Sequence, residues 1–146
     1  MTDKLRVGLA QLNPKVGDVA GNLAMVRAAR AEAARQGADL VLTTELVLAG
    51  YSPEDLVLKP SFQQACHDAV ETLRADTTDG GPALFVTTPW REGEKLHNAI
   101  IALDKGEIIG KRFKVDLPNY GVFDDKRVFA PGPMPGPLVF RGVRIG

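Results

Sequence analysis

The sequence holds a single cysteine, Cys66, in 146 residues. One cysteine excludes an internal disulfide and any multi-cysteine metal site. An excess of charge is missing too. Its 18 Lys and Arg balance 18 Asp and Glu, for a formal net charge of zero. Proteins that bind nucleic acid or membrane surfaces draw affinity from basic excess, so neither partner is expected. Long apolar runs are also lacking. The most apolar window, Leu40 to Leu48, is broken by Glu45 and is far too short to span a bilayer. The opening residues, Met1-Thr2-Asp3-Lys4-Leu5-Arg6, lack the apolar centre of a signal peptide. A cytoplasmic protein fits these absences.

What is present is ordinary globular material. The chain is 45% hydrophobic and 25% charged, long enough for one domain with a real core. Short apolar segments alternate with helical patterns. Arg6 to Leu12, stopped by Asn13-Pro14, reads as a buried strand. Asn22 is placed to cap a helix reaching Gln36, with Gly37 as terminator. Leu23, Val26, Ala29 and Ala33 recur at helical spacing, and Arg27, Arg30 and Arg35 are expected to face outward. Asp39 to Thr44 is the second strand. Strand, helix, strand implies a crossover and a parallel pair.

Ser52-Pro53-Glu54-Asp55 has the composition of a helix start, and a further helix is expected from Ser61 to Ala75. Ala83 to Thr88 reads as a third strand ended by Pro89. Leu96 to Leu103 and Glu107 to Phe113 read as a hairpin across Asp104-Lys105-Gly106. Four prolines in the seven residues Pro131 to Pro137 make an extended connector. Leu138 to Phe140 and Val143 to Ile145 would pair across Arg141-Gly142. The whole reads as α/β.

Two features carry candidate chemistry. Lys114 leaves an apolar strand and enters Val115 to Asp125, a turn with Pro118, Asn119 and Gly121, where the aromatics Tyr120 and Phe123 are followed by the carboxylates Asp124 and Asp125. Such loops hold function because a scaffold positions them while their side chains stay reachable; the plainer alternative is a solvated surface lysine. Glu45 follows the second strand directly. A carboxylate at the carboxyl end of an α/β strand stands where such sheets place their sites, and partial burial would suit it to base work. The commoner alternative is a salt-bridged or solvated strand end. Cys66, in a helical context, reads as a packing residue rather than a nucleophile. His67 and His97 lack partners at metal-ligand spacing. Gly17 to Asn22 is a turn before a helix, too weak a pattern for a nucleotide site.

Val7 to Pro14 with Val16-Gly17-Asp18, then Thr44-Glu45-Leu46 with Gly50 to Leu56, resembles the nitrilase-type carbon–nitrogen hydrolases. Lys114 with Leu117 to Asp125 resembles more narrowly the glutamine amidohydrolase domains at the N-terminus of glutamine-dependent NAD⁺ synthetases. These motifs run in order along the whole chain. The resemblance implies an α/β/β/α sandwich and a Glu–Lys–Cys triad, with Glu45 and Lys114 as its first two members. It implies Tyr51, Tyr120 and Phe123 as walls of a glutamine pocket. Asp125 stands where the family commonly has Glu, and its shorter side chain counts against a close hydrogen-bonding role. The family cysteine lies in a Cys-Glu-Asp motif beyond a strand like Val143 to Gly146. The expectation is therefore that residues 1–146 are the N-terminal part of a glutaminase domain, lacking the nucleophile and the synthetase domain, and inactive alone. ATP and Mg²⁺ would belong to that missing domain, and the glutaminase part would need no cofactor and no metal. A homo-oligomer follows from the family's habits. Two alternatives are another nitrilase-type amidase and a non-catalytic assembly module.

Overall fold

The computed structural model describes residues 4–146. Met1, Thr2 and Asp3, read above with the opening residues, lie outside the described residues. Strands β1 (Val7–Ala10), β2 (Leu40–Thr43), β3 (Ala83–Glu92), β4 (Lys95–Asp104) and β5 (Glu107–Phe113) form one sheet in sequence order. β1, β2 and β3 are parallel neighbours, while β3, β4 and β5 run as an antiparallel meander. Helix α1 (Val19–Arg35) links β1 to β2, and α2 (Pro60–Asp76) precedes β3. After β5 come a short helix, α3 (Asp125–Val128), and the hairpin of β6 (Leu138–Phe140) and β7 (Val143–Ile145).

Strand side chains alternate between two faces, so each strand serves two cores. Val41, Leu84, Val86, Ile101 and Leu103 pack with Val26 of α1 and with Val70 and Leu73 of α2. Leu40, Ala83, Phe85 and Ala102 point the other way, where Phe140 of the β6–β7 hairpin covers them. Each fully buried Val, Leu or Phe contributes about 1.5–3 kcal/mol. The hairpin can approach because Gly110 of β5 has no side chain: a Cβ there would overlap Leu138 Cδ1. This is the mixed α/β architecture expected, with helices on one face of the sheet.

Several local expectations are corrected. Asp18, not Asn22, caps α1, its carboxylate accepting from the Gly21 amide at 2.9 Å. Asn22 is buried inside the helix face instead, in line with Val26 and Arg30. Arg30 is inside too, donating to the Pro82 carbonyl and pairing with Asp79, because one turn of helix separates it from Val26 on the buried stripe. Ser52 caps nothing; Glu54–Leu58 is a 3₁₀ turn whose cap position is Pro53, and α2 begins at Pro60. β3 runs through Pro89 to Glu92 rather than stopping. Pro89 sits opposite Asn98, whose carbonyl turns away to accept from the Lys114 amide, so no N–H is needed from Pro89. β1 is half open rather than buried: Leu9 is 77% exposed on the face away from α1.

Candidate active site

The chain leaves β2 at Thr43 and turns through 44–50, and this turn is buried although it is not a regular element. Leu46, Val47, Leu48 and Ala49 are at most 1% exposed. Buried backbone must find partners. Thr87 on β3 supplies two: its Oγ1 accepts from the Val47 amide at 3.0 Å and donates to the Thr44 carbonyl. Asn22 supplies another, donating from Nδ2 to the Leu48 carbonyl (3.1 Å), and it ties the turn to the preceding loop by donating to the Lys15 carbonyl (2.8 Å) and accepting the Lys15 amide at 2.9 Å. Gly17 N–H donates to the Ala49 carbonyl. Gly50 has φ +82°, and a Cβ there would lie 2.5 Å from Val16 Cα, so only glycine lets the two loops meet. The outcome is a rigid turn that presents Glu45.

Lys114 follows the last residue of β5. Its amide donates to the Asn98 carbonyl at 2.8 Å and its carbonyl accepts from Gly132 at 3.0 Å, so the backbone is held on both sides. Its ammonium donates to Glu45 Oε1 at 2.8 Å and to Asp125 Oδ2 at 3.1 Å. Burial pulls the lysine pKa down, but hydrogen bonds to Glu45 and Asp125 outweigh it and the net shift is upward. The cation is thus secured at neutral pH. The shorter Asp125 side chain does reach, because α3 begins at Asp125 and Asp125 N–H is anchored on the Pro118 carbonyl, bringing the residue close to the lysine. Glu45 is more open than expected, with 45% of its side chain accessible.

Tyr51, Phe123 and Asp125 line a cleft of about 210 Å³ with Leu46, Val122 and Phe129. Burial and then the charges of Glu45 and Asp125 raise the Tyr51 pKa, so its phenol stays a hydrogen-bond donor. Tyr120 stands at the rim, 71% exposed, meeting Phe123 edge to face at 5.6 Å between ring centres. Arg127 of α3 pairs with Glu54, Asp55 and Asp124, tying the loop that bears Tyr51 to the loop that bears Phe123. Sequence reading missed Arg127, and it also missed Asn98, whose Nδ2 donates to Glu45 Oε1 at 2.7 Å. Only the polar residue inside the apolar run of β4 hinted at Asn98.

Cys66 lies in the core behind the cleft, which shares Leu46 and Phe129 with the cleft lining, and it has no open face. It is fully buried in α2 among Leu46, Ala49, Val57 and Phe62, and burial pushes its thiol up to about 11. His67 stacks on Trp90 and His97 on Phe113, so both rings serve as packing surfaces.

A glutamate and a lysine meet where β2 and β5, two strands of one direction, come to an end, and on this scaffold the chain belongs to the carbon–nitrogen hydrolase family, whose match spans residues 6–146. Among curated relatives, it is similar to the glutamine-dependent NAD(+) synthetase of Rhodobacter capsulatus, with 41% identity over 146 residues, all of this chain and 26% of that one. The solved glutamine-dependent NAD⁺ synthetase of Acinetobacter baumannii superposes with a TM-score of 0.89 at 28% identity, over 96% of this chain and 26% of that one. A mutant amidase of Nesterenkonia sp. AN1, showing Michael addition of acrylamide at its active-site cysteine, superposes with a TM-score of 0.84 at 32% identity, over 97% and 55% of the two chains. The chain spans about a quarter of the length of the curated synthetases it matches.

Proposed function

We propose that Glu45 and Lys114 belong to a glutaminase site that releases ammonia from the side-chain amide of glutamine, within a glutamine-dependent NAD⁺ synthetase. The observation that carries this reading is the Lys114 ammonium held between Glu45 and Asp125 at 2.8 and 3.1 Å. The 41% identity to such a synthetase along the whole chain supports it. In this reading Glu45 takes the proton of a thiol, and the thiolate sulfur bonds to the amide carbon. Lys114 holds the oxyanion as the carbonyl π electrons move onto oxygen. The proton then returns from Glu45 to the leaving nitrogen, the C–N bond breaks, and ammonia departs. Water, deprotonated by Glu45, hydrolyses the thioester and the thiol is restored. Tyr51, Tyr120 and Phe123 bound the substrate pocket, and Asp125 keeps Lys114 in place.

Cys66 cannot serve as that thiol, being fully buried with its pKa pushed up to about 11. The nucleophile is assigned to a Cys-Glu-Asp segment following Gly146 in a longer polypeptide. A synthetase domain with ATP and Mg²⁺ would then consume the ammonia in amidating nicotinic acid adenine dinucleotide, in a cytoplasmic homo-oligomer. The likeness to the Nesterenkonia amidase favours a second reading, an amidase acting on a free amide without a synthetase. The test is expression of the whole parent reading frame with assays for glutamate release and for NAD⁺ formation. Both activities are expected there and neither from residues 1–146 alone. Glutamate release without an ATP-using domain supports the amidase; thiol-dependent glutamate release by the isolated chain overturns the assignment of the nucleophile.

A further inference from the structure

We infer that Asn98 is the positioning residue that commits Glu45 to accept the proton on Oε2. The inference rests on the reading of Glu45 as the base. Asn98 Nδ2 and Lys114 Nζ both donate to the same carboxylate oxygen, Oε1, at 2.7 and 2.8 Å. No hydrogen bond among the described residues occupies Oε2. With two donors on one oxygen, the other keeps its lone pairs for an incoming proton. The orientation of the Asn98 amide follows from the same chemistry. Its Oδ1 facing Oε1 would set two acceptors against each other, so the NH₂ group must face the carboxylate.

The site of Asn98 suits this role. It is 6% exposed, and it stands on β4, inside the sheet rather than in a loop. Its backbone carbonyl accepts the Lys114 amide at 2.8 Å. One residue thus sets the base with its side chain and the cation with its backbone. Glu45 needs such a hold, since its side chain is 45% accessible and turned to solvent. Lys114 cannot supply it throughout the reaction. The ammonium already divides itself between Glu45 and Asp125 and must also face the oxyanion. When it turns to that oxyanion, the neutral Asn98 donor stays on Oε1 and keeps the carboxylate from rotating.

The test uses the full-length polypeptide. Asn98→Ala is expected to lower kcat for glutamine hydrolysis about 10²-fold with KM nearly unchanged, the size of a misplaced catalytic group. Asn98→Asp keeps the shape, removes the donor and adds an anion, and is expected to lose at least as much; it is the variant to read if Asn98→Ala does not fold. Glu45→Gln is the control. If Glu45→Gln is inactive while both folded Asn98 variants keep wild-type kcat, or show only a raised KM, this inference fails alone. If Glu45→Gln still hydrolyses glutamine, the base assignment fails and takes the inference with it.

Discussion

Lys114 Nζ lies 2.8 Å from Glu45 Oε1, although 69 residues separate the two in the chain. The pair joins the ends of two strands that run the same way, and it faces solvent, with 30% and 45% of the side chains accessible. An exposed ion pair contributes less than about 1 kcal/mol to stability.

Lys114→Met should separate the two roles. In residues 1–146 the thermal unfolding midpoint should fall by the equivalent of less than about 1 kcal/mol. In the full-length polypeptide glutamine hydrolysis should drop by about 10²–10³-fold, as for loss of one oxyanion donor. The lysine pKa is raised in the fold above its ordinary 10.5. Its contribution to stability is then complete below that value and is lost only as pH climbs through the folded pKa. Stability that fell between pH 6 and 9 in the wild type but not in Lys114→Met would contradict this.

Cys66 should be silent to thiol reagents in the folded chain. Burial lifts its pKa from 9.0 to about 11, so reaction at pH 8 should require unfolding and should accelerate in parallel with urea. Because the folded pKa is the higher one, the thiol's share of stability is intact below pH 9 and drains away between 9 and 11. Fast stoichiometric labelling under native conditions would refute the buried placement.

Asn22→Ala should be costly for an alanine in a helix. It strands the Lys15 amide and the Leu48 carbonyl, which Asn22 satisfies at 2.9 and 3.1 Å, while the Lys15 carbonyl keeps the Asp18 amide at 3.2 Å. An unsatisfied buried group costs about 1–3 kcal/mol; with the Leu48 carbonyl buried and the Lys15 amide only partly so, a loss of roughly 2 kcal/mol is expected by urea unfolding. A loss below about 1 kcal/mol would mean that the Glu45 turn is held by other contacts.

Leu9 should drive self-association. It is 77% exposed and Val7 43%, both on β1, which is an edge strand of the sheet. Open apolar edges pair with one another. Sedimentation of residues 1–146 should show oligomers, and Leu9→Lys should shift them toward monomer. A wild-type chain that sediments as a monomer at high concentration would argue against this surface as sticky.

Much of the scaffold was readable in advance because it is written in local chemistry. Apolar runs broken by Pro and Gly marked the strands, and Asp104-Lys105-Gly106 and Arg141-Gly142 marked two of the three hairpin turns, the third being Gly93-Glu94 between β3 and β4. Errors came where a distant partner overrode the local signal. Asn22 looks like a cap, yet its partners are Lys15 and Leu48. Pro89 looks like a terminator, yet the register places it where no N–H is required. Arg30 looks solvated, yet Pro82 and Asp79 receive it.

The candidate site divides in the same way. Residue types and their order determined that this chain carries a glutamate after one strand, a lysine after another, and a rigid loop with Tyr120, Phe123 and Asp125 behind it. Those facts depend on neighbours a few residues apart. That Lys114 touches both Glu45 and Asp125, that Asn98 reaches Glu45 from 53 residues away, and that Cys66 is sealed in the core behind the cleft were decided by the sheet order, the strand directions and the packing of helix and loop upon them. A hydrogen bond is read in ångströms through space, and strand pairing sets that distance where sequence separation does not.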